Sequence, residues 1–151
     1  MDLGFIRVAA AVPRVRTADV KANVEEICKM AGEAEKDGIS LLAFPELSVT
    51  GYTCGDLFGQ ELLIREAEEG IKRLKAFSRG KSVVMTVGVP VRVNANLYNC
   101  AAVIHNGTLR GLVPKIWLPT YGEFYESRWF SSGSDFLQDT GAISVPVRDD
   151  G

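Results

Sequence analysis

Apolar and polar positions fall along this chain in blocks whose period changes at recognisable breaks. Phe5 to Val12 (FIRVAAAV) is apolar apart from Arg7 and ends at Pro13, the pattern of a buried strand. Thr17 can cap a helix in which Val20, Val24, Ile27, Ala31 and Ala34 recur at helical spacing, running to about Lys36. Lys21, Glu25 and Lys29 lie on its other side, Glu25 and Lys29 as an i,i+4 pair, and Gly38 supplies the stop. Ile39 to Phe44 (ISLLAF) is short, apolar and closed by Pro45, which predicts a second buried strand. A second helix is expected from about Glu61 to Ser78. Its stripe is Leu63, Ala67, Ile71, Leu74 and Phe77, with Glu68, Glu69, Lys72 and Arg73 facing water. Val83 to Val89 reads as a third buried strand. Leu97 to His105 and Thr108 to Val113 read as two more, joined through the hairpin pair Asn106-Gly107. Beyond Lys115 the chain turns irregular and aromatic, and Ala142 to Val147 is a last strand candidate.

The order β-α-β-α-β-β-β implies an α/β layered domain with a mixed sheet. At 151 residues, 46% hydrophobic and 24% charged, the chain can bury one ordinary globular core. Its net charge of −2 carries no basic stripe, so nucleic acid is not an expected partner. The start Met1-Asp2-Leu3-Gly4 lacks the basic and apolar regions of a signal peptide, and no apolar run is long enough to span a bilayer. Cys28, Cys54 and Cys100 are odd in number and without CxxC spacing, which argues against a disulfide framework or a zinc site and fits a reducing cytoplasm.

Two residues stand where strand ends meet loops. Glu46 follows ISLLAF and Pro45, at the carboxyl end of a buried strand, where α/β sheets bind ligands. Desolvation there favours a proton-transferring carboxyl, although helix capping or plain surface exposure also accounts for a glutamate at that point. Lys115 follows Leu112-Val113-Pro114 and precedes Ile116-Trp117-Leu118-Pro119. A lysine so placed can hold positive charge against a developing oxyanion, or simply snorkel to water. Glu123, eight residues on, could orient that lysine or a substrate amide. His105 beside the hairpin reads as a strand-end surface group, and one histidine there makes no Ser-His-Asp set.

Phe44-Pro45-Glu46-Leu47 with Thr50-Gly51-Tyr52, then Pro114-Lys115 with Leu118-Pro119 and a downstream glutamate, resembles the nitrilase superfamily of carbon-nitrogen hydrolases. Thr50 to Phe58, Arg7 to Pro13 and Leu118 to Glu126 further resemble the glutaminase domain of glutamine-dependent NAD synthetases. The resemblance implies the N-terminal part of a nitrilase-like α-β-β-α sandwich with mixed sheets. It also implies a Glu-Lys-Cys triad in which Glu46 is the general base and Lys115 the stabiliser of the tetrahedral intermediate. Glu123 takes the place of the superfamily's second glutamate, and Tyr52 and Tyr121 match positions lining the glutamine pocket. Glutamine is then the substrate, and a C-terminal synthetase domain of the same full-length chain is the partner. That domain would use ATP and Mg to amidate deamido-NAD, while this segment itself takes no cofactor. By family analogy the protein is a homo-oligomer.

In that pattern the nucleophilic cysteine follows Lys115 by some tens of residues, and no cysteine follows Cys100. Cys28 and Cys100 read as core, and Cys54 as a loop residue without the setting that lowers a thiol pKa. Residues 1–151 are therefore expected to be a truncated hydrolase domain that is inactive alone. Ser131-Ser132-Gly133-Ser134-Asp135 faintly echoes a phosphate-binding loop but follows no apolar strand and reads as an ordinary loop. A stand-alone nitrilase-superfamily amidase and a non-catalytic interaction module are the alternatives. A domain ending here leaves apolar sheet surface or a strand edge uncovered, so the chain is expected to associate, which light scattering on the purified chain would show as a mass above that of the monomer.

Overall fold

In the computed structural model, residues 4–136 are described, and among them five strands form one mixed sheet in the order of the chain. Strands β1 (Val8–Ala10), β2 (Leu41–Ala43) and β3 (Val84–Val93) run parallel, and β4 (Asn96–His105) and β5 (Thr108–Pro114) continue the sheet antiparallel. Helix α1 (Val20–Lys36) crosses from β1 to β2, and α2 (Glu61–Ser78) from β2 to β3. Both crossovers step the same way across the sheet, and such connections are right-handed, so both helices cover one face. They touch at Gly70, where an added Cβ would lie 3.1 Å from Val20 and Val24 of α1.

Beneath the helices Leu42, Met85, Val87, Val89, Ala102 and Ile104 are buried. The alternate residues along the strands point to the other face, on which no described helix or strand packs: Val8 is 59% and Val113 61% exposed there, and Leu41 is exposed beside Val8. The described residues are thus one helix layer and one sheet layer of an α/β fold. No helix among them is long and apolar enough to cross a membrane.

Several element ends differ from the sequence pattern for local reasons. The first helix starts at Val20, capped by Asp19, whose Oδ1 accepts the Ala22 N–H at 3.1 Å. Thr17 is not the cap, because the chain is still turning at Ala18 (φ +60°) and the Thr17 hydroxyl meets that of Thr53 at 3.1 Å. Strand β1 is shorter than its apolar run because β2, its partner, has only three residues; Phe5 and Ile6 are left exposed. Strand β3 continues through Pro90 to Val93. Opposite Pro90, Asn99 turns its carbonyl away to the Lys115 N–H, so the missing proline donor costs no ladder bond. The Asn106-Gly107 hairpin forms as expected, both residues in the left-handed region. The strand expected at Ala142 to Val147 lies outside the described residues.

The turn after β2 lies directly on β3. Leu47 sits at φ +50°, and the Val49 N–H donates to the Gly88 carbonyl at 3.0 Å. A Cβ at Gly88 would stand 2.1 Å from the Leu47 nitrogen and 2.6 Å from the Glu46 carbonyl carbon, so only glycine allows the approach. Gly88→Ala is expected to destabilise the chain by about 3 kcal/mol through this backbone clash, read by urea denaturation.

Candidate active site

Glu46 leaves the sheet where β2 ends. The Phe44 N–H still donates to Thr86 at 2.9 Å, Pro45 follows, and the chain folds back through Ser48 to Gly51, whose N–H returns to Leu47 at 2.7 Å. Asn23 of α1, fully buried, holds this loop by donating from its amide to Val49 at 3.1 Å and to Arg16 at 2.8 Å. The fold-back gives Glu46 a fixed root and leaves its side chain 40% exposed.

Lys115 is the first residue past β5, at the same end of the sheet, and its N–H donates to Asn99 of β4 at 2.8 Å. Its Nζ donates to Glu46 Oε1 at 2.7 Å and to Glu126 Oε1 at 2.9 Å. The Glu126 side chain is only 2% exposed. A carboxylate that deep is costly without a partner, by several kcal/mol, so the ammonium is a structural requirement of Glu126 as well as a neighbour of Glu46. Partial burial works against the charge on Lys115, but hydrogen bonds to Glu46 and Glu126 and their fields outweigh it, raising its pKa. The lysine is therefore a permanent cation.

Tyr52 donates its hydroxyl to the same Glu126 Oε1 at 2.8 Å. Desolvation, then that hydrogen bond and the two carboxylates, push the phenol above its ordinary range and keep it a donor. Glu126 Oε2 is buried and has no hydrogen-bond partner among the described residues. Beside this group lies a cavity of about 320 Å³ on the open face of the sheet, lined by Glu46, Asn99, Lys115, Phe44, Thr86 and Val113 among others. That volume suits a small ligand.

Two loops bring Tyr52 and Glu126 together. Residues Tyr52–Gly59 form irregular 3₁₀ turns and Glu126–Arg128 another. Asp56 Oδ1 accepts from Arg128 Nε at 2.9 Å and from Trp129 Nε1 at 3.0 Å. Beneath this clamp the ring of Phe58 packs on Phe130, centroids 4.9 Å apart.

The sequence pointed to Glu123 as the glutamate that could orient Lys115, whereas the second glutamate the structure brings to Lys115, beside Glu46, is Glu126. Glu123 lies exposed in the turn, whereas Glu126 opens the 3₁₀ turn Glu126–Arg128, after which Trp129 packs against the core and Phe130 is buried in it. The sequence pattern held no signal for this choice: Glu126–Arg128 is a single 3₁₀ turn, too short to show a period, and the burial of Glu126 and Phe130 appears only in the folded chain. Tyr121 is 74% exposed and stacks edge-on to Phe124 rather than joining Lys115. Asn99, which donates from its amide to Glu46 Oε1, was not singled out in the sequence. None of the three thiols is activated: burial raises Cys28 and Cys54 and pushes Cys100 up to about 12.

The family model described as carbon-nitrogen hydrolase matches residues 7–147. A glutamine-dependent NAD(+) synthetase of Mycobacterium leprae is 36% identical over 132 residues, covering 87% of this chain and 19% of that protein. The one from Mycobacterium tuberculosis is 40% identical over 130 residues, covering 86% and 19%. The chain thus spans about a fifth of the length of these relatives. Among solved structures, a glutamine-dependent NAD(+) synthetase from Cytophaga hutchinsonii superposes with a TM-score of 0.80 at 31% identity, covering 84% of this chain and 22% of that one. An amidase from Nesterenkonia sp. shares the fold at a TM-score of 0.74 and 23% identity, over 85% of this chain and 48% of its own.

The Asp56 clamp carries a pH signature. Hydrogen bonds from Arg128 and Trp129, then the Arg128 charge, hold the Asp56 carboxyl down at about 2, below its ordinary 3.8. A depressed acid stabilises above its unfolded pKa, so the clamp is fully present above about pH 4 and lost as pH falls through about 2. The Trp129 indole N–H resonance is expected to move over that window and to stay flat there in Asp56→Asn.

Proposed function

Because this chain belongs to the carbon-nitrogen hydrolase family, we propose that it is part of the glutamine-hydrolysing domain of a glutamine-dependent NAD synthetase. The observation that carries the reading is the Lys115 ammonium held at 2.7 Å and 2.9 Å between Glu46 and Glu126, at the rim of the cavity. In this reading Glu46 is the general base and Lys115 the oxyanion stabiliser, while Tyr52 and Glu126 shape the substrate side. The similarity of nearly the whole chain to NAD synthetases supports glutamine as the substrate.

On this reading the chemistry runs through Glu46 and Lys115. A cysteine thiol transfers its proton to Glu46 and attacks the side-chain amide carbon of glutamine. The oxygen of the tetrahedral intermediate gathers charge beside Lys115, a fixed cation that need not reorganise. Glu46 returns the proton to the departing nitrogen, ammonia leaves, and water hydrolyses the thioester.

The thiols of this segment are unsuited to the attack, so on this reading the nucleophile comes from another part of the full-length domain. ATP and magnesium act, on this reading, in a C-terminal synthetase domain. The Ser131–Asp135 stretch does not fit a phosphate. The Gly133 N–H already donates to Lys115 at 2.9 Å and the Ser134 N–H to Ser132 Oγ at 3.1 Å, and a Cβ at Gly133 would meet Pro114 at 2.9 Å.

Glu46→Gln tests the reading more cleanly than a change at Lys115, which would strand Glu126 as an unpaired buried charge. In the complete protein it is expected to lower glutamine-dependent NAD formation by about 10³-fold. Formation from added ammonia should be unchanged. Loss of both activities, or of neither, would remove Glu46 from this role.

A further inference from the structure

Glu46 is a half-exposed side chain just past the carboxyl end of the internal strand β2, and a general base there works best if one oxygen is held and the other offered. Both of its donors land on the same oxygen. Lys115 Nζ reaches Oε1 at 2.7 Å, and the Asn99 amide donates to Oε1 as well. Among the described residues no donor is recorded for Oε2. Asn99 also accepts the Lys115 N–H on its own carbonyl at 2.8 Å, so a single residue of β4 grips the carboxylate with its side chain and the lysine with its backbone.

Its surroundings argue against a merely structural amide. Asn99 is buried at the wall of the cavity beside Glu46 and Lys115, and its amide is spent on the Glu46 carboxylate rather than on a backbone group. The hydrogen bond recorded for its Nδ2 goes to Glu46. We propose that Asn99 is a positioning residue that locks Glu46 through Oε1 and so selects Oε2 as the proton-carrying oxygen facing the cavity. This rests on the reading of Glu46 as the general base. The gain lies in orientation, since a reacting group misplaced by about 1 Å loses on the order of 10²-fold in rate.

The test uses the complete protein and ammonia release from glutamine, with Asn99→Leu (similar size, no donor), Asn99→Asp (same shape, no donor at neutral pH) and Glu46→Gln, alone and combined. Both Asn99 variants are expected to lower kcat about 10²-fold with KM changed by less than about threefold, because the substrate still binds while the base is misaimed. In the Glu46→Gln background, Asn99→Leu should cause no further loss, because its effect runs through Glu46. NAD formation from added ammonia should survive in each variant, which controls for folding. Unchanged kcat in both Asn99 variants, an effect on KM alone, or a full additional loss on top of Glu46→Gln would overturn the positioning role. Glu46→Gln with undiminished glutamine hydrolysis would instead remove the functional reading, and Asn99 with it. An inactive Glu46→Gln beside fully active Asn99 variants would remove only the role of Asn99.

Discussion

A carboxylate taken almost wholly out of water needs a cation against it, and in this protein that demand falls on Lys115. Glu126 is buried and Lys115 reaches its Oε1 at 2.9 Å while holding Glu46 with the same ammonium. The pair is poor evidence for stability, because the desolvation of both charges offsets most of their attraction. What it supplies is placement. A charge that cannot leave its partner is a charge whose position is known, and Glu46 is positioned by the same contact.

The sheet makes this convergence possible. The parallel strand β2 delivers Glu46 at its carboxyl end, and the antiparallel strands β4 and β5 deliver Asn99 and Lys115 to that same end. Helices on one face bury the core, so the other face stays open and carries the cavity beside the charged group. Gly88 couples the two functions. By allowing the Glu46–Leu47 peptide to lie on β3, it converts a strand end into a rigid mount, at the cost of a left-handed leucine. The loops of Tyr52 and Glu126 depend less on the sheet and more on each other, through Asp56, Arg128, Trp129 and the Phe58–Phe130 contact.

Much of this was legible in the residues, and the reasons are physical. The period of apolar positions set the two helices, α2 to its end residues, because it reports which side meets the core, and short apolar runs closed by proline or turn residues set the five strands in order. Asn106-Gly107 placed the hairpin because few residue pairs adopt two left-handed conformations in succession. Glu46 and Lys115 stood out because each follows a strand. Element ends were less legible: whether Thr17 or Asp19 caps α1 depends on a turn held by Thr50, far along the chain. Only the tertiary structure could decide between Glu123 and Glu126, because that choice depends on which glutamate a single turn buries behind Phe130 and aims at a lysine eleven residues away. Asn99 was invisible for the same reason. An asparagine in an apolar strand has no signature of its own, and it gains a role only when pairing β4 between β3 and β5 sets its amide against a carboxylate from a different strand.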